Sequence, residues 1–258
     1  MSTTSKWTVT FKVFRKKGEE TPHYDEFKLE VNPDEYVLDG VERIWAFHDR
    51  SLTYRHACHH STCGACGMRV NGVEKLTCIT PIRDVTQDGG VIRVDPLRNF
   101  TLVSDLAVDM GTLYTRMDKV GQHAVNSDSK EAFQSEKRPV GPVEEGLDYI
   151  RLSDCIECGL CISACPITAS SPDYLGPAVL AGAHQHGIKG DEQVFRLVDC
   201  EDGVWRCHSA FECTTVCPSF VDPGERIMDL RKQVIGEQFR RLFSGSNAKK
   251  INTMEATK

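Results

Sequence analysis

The sequence predicts an α+β chain of two domains, a β-rich one over residues 1–110 and a helical one over 111–258. Three observations predict this. Apolar residues alternate through the first hundred positions, they recur at helical spacing further on, and the cysteines fall into separate groups on either side of that change.

Trp7, Val9, Phe11 and Val13 alternate with Thr8, Thr10 and Lys12, the period of a half-buried strand. After a polar turn, Phe27, Leu29 and Val31 alternate again. A helix start follows, with Asn32 as cap, Pro33 in the first helical position and Glu35 three residues after the cap. Val37, Leu38, Val41, Ile44 and Trp45 form its apolar face. The segment MRVNGVEKL reads as a hairpin turning at Asn71–Gly72, a pair that tolerates positive φ. A last short strand is expected at residues 91–94. Beyond Asp95–Pro96, Leu102, Leu106 and Met110, then Leu113, Met117 and Val120, recur at helical spacing. Residues 121–146 are polar and broken by Gly and Pro, a surface connection. Ile227, Leu230, Val234, Ile235, Phe239 and Leu242 define the last helix, and residues 244–258 read as a disordered polar tail.

A net charge of −6 argues against a nucleic-acid partner, which needs clustered positive charge. The longest apolar stretch, residues 174–183, is broken by Gly176, Pro177 and Gly182 and falls short of the roughly 20 residues that span a bilayer. The first residues show no apolar signal core, so neither a signal peptide nor a transmembrane segment is expected. In a reducing compartment twelve cysteines are a poor disulfide framework and a good inventory of metal ligands.

Cys58, Cys63, Cys66 and Cys78 are spaced C-x4-C-x2-C-x11-C, the plant-type run that holds a [2Fe–2S] cluster. Each iron is tetrahedral and takes two bridging sulfides plus two thiolates, so the pair needs four cysteines. Gly64 and Gly67 suit a loop that must wrap closely enough for backbone N–H groups to reach the sulfurs. A structural zinc site is the competing reading, but zinc usually takes two C-x2-C pairs, and this group has one.

Cys155, Cys158, Cys161 and Cys165, followed by Pro166, form C-x2-C-x2-C-x3-C-P, the bacterial run whose last cysteine ligates the other cluster of a pair. Such a run implies a second copy. Cys207, Cys213 and Cys217, followed by Pro218, supply it, with Ala210 where the second cysteine belongs. By the crossed rule, Cys155, Cys158, Cys161 and Cys217 hold a [4Fe–4S] cluster. Cys165, Cys207 and Cys213 leave one corner unligated, and the expected product is [3Fe–4S]. A water or Cys200 completing a fourth iron is the alternative.

These motifs, YRHACHHSTCGACGMRVNG, CIECGLCISACP and CHSAFECTTVCP, together with DPLRNF and the helix after it, resemble the iron–sulfur subunits of succinate dehydrogenase and fumarate reductase over nearly the whole chain. The resemblance implies an N-terminal β-grasp [2Fe–2S] ferredoxin domain and a C-terminal α-helical ferredoxin domain. It also implies a flavoprotein partner with covalent FAD, membrane-anchor subunits often carrying haem b, and quinone as the electron partner. The chain would then lie peripherally on the cytoplasmic face of a bacterial membrane, held by its anchors. Pro166 and His208 match quinone-proximal positions, and Ser170 falls in the stretch where many ubiquinone-linked members carry a tryptophan pair. Ile167-Thr168-Ala169-Ser170 has no aromatic residue, which suggests menaquinone. The competing functions are a soluble multi-cluster electron carrier and a subunit of another flavin-linked dehydrogenase.

Outside these sets, His56, His59 and His60 could suggest Rieske-type ligation, but four cysteines already stand in register. His184 and His186 read as surface or interface histidines, and Cys200 as a buried free thiol. Arg55, Arg69 and Arg83 are candidates to offset cluster charge, although solvated surface arginines fit at least two of them better. No side-chain catalytic motif is present.

Overall fold

The structure, a computed structural model, describes residues 6–121 and 155–254. Strands β1 (Trp7–Arg15) and β2 (His23–Val31) form an antiparallel hairpin in which Val9, Phe11 and Val13 point into the core. The Asn71–Gly72 turn joins β3 (Gly67–Val70) to β4 (Val73–Leu76); both turn residues have positive φ, at 51° and 88°. Strand β5 (Val91–Asp95) runs parallel to β1 and antiparallel to β3, giving the order β2-β1-β5-β3-β4. This mixed sheet grips α1 (Val37–Phe47), which buries Val37, Val41 and Ile44 against it, while Leu38 packs into the core that contains Cys66 and Cys78.

The helix begins later than its sequence signal. Asn32 and Glu35 do make the reciprocal turn, the Glu35 carboxylate accepting the Asn32 N–H at 3.2 Å. Pairing of residues 35–37 with 80–82 then holds the chain extended, through Val37 N–H to Thr80 O at 3.0 Å and Ile82 N–H to Glu35 O at 2.9 Å. The helix starts only afterwards, capped by Asp39 on the Tyr36 N–H at 2.9 Å. Trp45 leaves the expected apolar face: it is exposed, with the Arg50 guanidinium 4.3 Å from its ring centre.

Residues 102–110 are not helical as their spacing predicts. They form a hairpin of β6 (Leu102–Ser104) and β7 (Ala107–Val108) that turns at Asp105. Two backbone hydrogen bonds sew that turn into the first domain, Asp105 N–H to Lys16 O at 2.8 Å and Leu106 N–H to Thr53 O at 3.0 Å. The fully buried Asp105 carboxylate accepts the N–H groups of Lys16 and Thr53 and lies 3.3 Å from Arg15 Nε. Arg15 continues the inward face of β1 and also pairs with Asp25, at 2.9 Å, and with Asp49.

Helical packing begins at α2 (Gly111–Lys119), followed by α3 (Leu160–Ala164), α4 (Pro166–Ser170), α5 (Pro177–His186), α6 (Glu192–Val198), α7 (Glu212–Thr215) and α8 (Pro223–Met254). Helix α5, the stretch the sequence singles out as most apolar, is buried from Pro177 to Ala183 and packs on α2 and α8. In α8, Ile227, Leu230 and Val234 are fully buried, whereas Ile235, Phe239 and Leu242 are exposed. The helix runs on to Met254 where a disordered tail is expected from Ser244, because no proline interrupts its hydrogen-bond ladder. The predicted connection lies almost wholly within residues 122–154, outside the described residues.

Replacing Arg15 by Met strands a buried carboxylate, so a loss of about 3–5 kcal/mol is expected in urea denaturation of the loaded protein. Arg15 and Ser51 hold the Asp49 carboxyl below its ordinary value. Its contribution is therefore present above the usual carboxylate range and lost as pH falls through the lowered value. The gap between wild type and Arg15→Met should narrow in acid.

Candidate metal centres

The first thiol group is shaped by its loop. Between Cys58 and Cys63 the backbone enters the left-handed region at His59 and Ser61, which turns the N–H groups of His60, Thr62 and Cys63 onto Cys58 Sγ at 3.3–3.4 Å. Those three donors draw the Cys58 thiol down to about 6. Cys78 sits in the turn after β4, where the Thr77 hydroxyl and N–H both donate to Cys66 O, at 2.9 and 3.3 Å. The fourth cysteine of the motif is thereby fastened beside the third. Both are buried, and burial pushes the Cys66 thiol up to about 12.

The second domain gathers its thiols from two segments. Cys155, Cys158, Cys161 and Cys217 line one cavity with Ala178, Ala181 and Val221. Cys165, Cys207 and Cys213 line another, with Tyr174, His208 and Ala210. Cys161 and Cys165 lie on and just beyond α3, one helical turn of about 6 Å apart, so a single turn feeds both cavities. Burial pushes Cys158 and Cys213 up to about 12, and drives Cys161 well above an ordinary thiol with help from four neighbouring sulfurs. With protons on them these thiols are inert; bound iron would displace the protons and satisfy the buried sulfurs.

The spacing also bears on nuclearity. Thiolates around one zinc lie about 3.8 Å apart, given Zn–S bonds near 2.3 Å. Among the described residues, no cysteine set closes within 4.8 Å; the set that does is Glu42, His56 and His59. The wider cysteine cages suit polynuclear clusters. The histidines instead turn to α1, with His59 Nε2 at 3.1 Å and His56 Nε2 at 3.4 Å from Glu42 Oε1, and pin the loop to the helix.

The two domains touch at the thiols themselves. Gly64 has φ of +68°, and a Cβ there would lie 2.7 Å from Ile156 O and 2.8 Å from Cys158 Cα. A Cβ at Gly67 would meet Cys158 O at 3.2 Å. These glycines, expected to let the loop wrap a cluster, also let it press directly on the second domain's first cysteines. The junction DPLRNF locks the contact. Asn99 Nδ2 donates to the carbonyls of Ile162 at 2.8 Å and Cys165 at 3.1 Å, closing the C-terminal end of α3. The Ser163 hydroxyl donates to buried Glu74 on β4 at 2.8 Å and accepts the Arg98 N–H at 2.8 Å. Sequence reasoning missed Glu74 because charge in a short strand reads as solvent-facing.

The remaining candidates separate. Pro166 and His208 are exposed at the rim of the three-thiol cavity, beside exposed Ala210 and Phe211. Ser170 does not line that cavity, and its hydroxyl donates to Ile167 O at 3.1 Å. Cys200 is exposed rather than buried, since it lies in the turn after α6, where its thiol faces Leu197 O. His186 pairs with Asp191 at 2.9 Å while His184 is half-buried, so the two share no ligand set. Arg69 is turned to Glu74 and Arg83 to Asp34; Arg55 is half-buried.

A mixed-sheet domain and a helical domain, each built around thiol cages, define a two-domain iron–sulfur protein. Residues 10–115 match the family described as a 2Fe-2S iron-sulfur cluster binding domain, and residues 151–221 the family described as a 4Fe-4S dicluster domain. The chain is 34% identical over 219 residues to the fumarate reductase iron-sulfur subunit of Mycobacterium tuberculosis, covering 83% of this chain and 87% of the relative. It is 29% identical over 238 residues to the mitochondrial succinate dehydrogenase [ubiquinone] iron-sulfur subunit of Candida glabrata, covering 87% and 90%. A solved structure titled as the Mycobacterium smegmatis Sdh1 complex in the apo form shares the fold, with a TM-score of 0.72 at 23% identity over 91% of this chain and 98% of that one. The chain belongs to the family of iron–sulfur subunits of fumarate reductase and succinate dehydrogenase, and its role is electron transfer within such an oxidoreductase.

Gly64→Ala should force the two domains apart. The expected outcome is slower electron-spin relaxation of the reduced [2Fe–2S] signal, which a nearby paramagnetic cluster hastens; an unaltered relaxation rate would show that the contact does not set the spacing.

Proposed function

We propose that this chain relays electrons singly between the covalent FAD of a flavoprotein partner and a quinone at a membrane-anchor subunit, as part of a succinate:quinone or quinol:fumarate oxidoreductase. The observation that carries the reading is the unbroken succession of thiol cages. The Cys58–Cys78 loop presses on Cys158, and α3 joins the cavity containing Cys158 to the one containing Cys165.

In this reading Cys58, Cys63, Cys66 and Cys78 hold [2Fe–2S]. Cys155, Cys158, Cys161 and Cys217 hold [4Fe–4S], and Cys165, Cys207 and Cys213 hold [3Fe–4S]. When bound, the clusters supply one-electron redox centres whose potentials follow cluster type, hydrogen bonding and exposure. The protein's part is to fix their order, exclude water from the central cage and expose the last one. Residues 1–110 carry the first cage and 111–258 the other two.

The three-thiol cavity is the quinone-facing end, because its rim of Pro166, His208, Ala210 and Phe211 is exposed. Menaquinone fits a rim stretch that lacks the tryptophan pair. No helix among the described residues is long and apolar enough to cross a membrane. Exposed Phe211, Phe220 and Phe239 give apolar surface for anchor subunits, the haem b carriers of this reading, that hold the chain peripherally on the cytoplasmic face.

Low-temperature EPR and iron analysis of protein purified without oxygen should give three distinct signals, and zinc alone would end the reading. Ala210→Cys should convert the three-iron cluster to a four-iron one. An oxidised three-iron signal unchanged by that substitution would mean the second cysteine run is misaligned. Co-purification of a covalent-flavin protein from solubilised membranes is the expected partner result.

A further inference from the structure

Tyr174 is a fully buried polar side chain in the wall of the three-thiol cavity that the ligand assignment does not use. Its hydroxyl makes no well-aligned hydrogen bond within the protein, although it lies beside the Cys207 thiol in the cavity of Cys165, Cys207 and Cys213. A buried hydroxyl without a partner is costly, and such a group in a native fold needs an explanation. The backbone around it is fixed from three sides. Tyr174 N–H donates to Ser171 O at 3.1 Å, its carbonyl accepts from Arg116 at 2.8 Å, and the next N–H donates to Asp202 O at 2.9 Å. The ring is thus held in place, not left to find a partner by moving.

Its surroundings favour a donor. A phenol is an O–H donor at neutral pH, and this one is sealed from water by its burial. The acceptor beside it is the Cys207 sulfur, and bound iron would add the sulfides of a cluster. Other donors to these sulfurs are the Ser209 N–H, 3.5 Å from Cys207 Sγ, and the N–H and hydroxyl of Thr214 on Cys213, while His208 stands exposed at the rim.

We propose that the Tyr174 hydroxyl donates a hydrogen bond to the sulfur shell of the cluster held by Cys165, Cys207 and Cys213, and thereby raises its reduction potential. A reduced cluster carries one more negative charge than an oxidised one, so a donor aimed at its sulfur stabilises the reduced form more. Tyr174 is a positioning residue that sets how strongly the last centre holds its electron. The proposal rests on the three-iron reading above.

The test is a redox-poised EPR titration of the intact complex carrying Tyr174→Phe. The fully oxidised three-iron signal should keep its amplitude, and its midpoint should fall. At the wild-type midpoint the oxidised-to-reduced ratio should rise about tenfold, which for a one-electron couple is about 59 mV. The midpoints of the other two clusters should stay put, which a general loosening of the fold would not allow. An unmoved three-iron midpoint overturns the proposal. If the variant fails to hold its cluster, the unmodified complex grown with tyrosine labelled with oxygen-17 at the hydroxyl decides instead. Hyperfine coupling from that oxygen to the oxidised cluster is expected, and its absence overturns the proposal. An unmodified complex with no three-iron signal would overturn the cluster assignment itself, a result distinguishable from either of these.

Discussion

Each cavity of the second domain is closed by thiols from segments about fifty residues apart in sequence, and on that exchange the rest of the arrangement depends. Cys217 comes to the cavity of Cys155, Cys158 and Cys161, while Cys165 leaves its own run to join Cys207 and Cys213. These are concave spaces in which burial holds Cys158, Cys161 and Cys213 protonated, a poor core for so small a helical domain. Bound iron would turn that liability into cross-links between the first and second cysteine runs, and cluster assembly and folding of this half would then be one process. The first group differs. Cys58 is exposed to a ring of backbone N–H donors and ionises easily, so its loop is prepared for metal before the metal arrives.

The contact between the domains follows from the same demand. Electron transfer needs cages close together, and the closest approach is backbone on backbone. Gly64 and Gly67 permit it, and the buried Glu74–Ser163 hydrogen bond with the Asn99 cap on α3 fixes its register. One core cluster accordingly includes Cys66 and Cys78 from the sheet domain alongside Leu160, Leu180 and Leu230 from the helical one. The boundary between the two ferredoxin-like parts is therefore a boundary in topology and not in packing.

Legibility in the sequence divides along the same line. The cysteine runs, the Asn71–Gly72 hairpin and the strands of the sheet are local patterns, and each appears where its spacing puts it. The 102–110 segment shows why local pattern is insufficient. Leu102, Leu106 and Met110 have helical spacing, yet backbone pairing with Lys16 and Thr53 and the buried Asp105 carboxylate make a hairpin of it. The delayed start of α1 has a similar cause, the bridge between Tyr36 and Pro81. Arg15 and Glu74 were illegible because a buried charge is visible only with its partners, and those partners lie up to ninety residues away. Tyr174 reads as an ordinary core aromatic until the position of its hydroxyl is known.

The two cavities differ in their thiol count and lining. Ala178, Ala181 and Val221 wall the four-thiol cavity, and exposed Pro166, His208 and Ala210 line the three-thiol one. Ala210 has two consequences at once. It removes a ligand, which favours a cluster with one iron fewer, and it leaves a small side chain at the rim where a thiolate would have turned inward. Losing an iron as a cation leaves the remaining core with fewer positive charges, but also with fewer thiolates to repel an added electron. The balance then falls to exposure and to hydrogen-bond donors around the sulfurs. Around these sulfurs the Ser209 N–H and Thr214 already donate, and on the inference above Tyr174 would add a donor that a single-atom change removes without altering the shape of the wall.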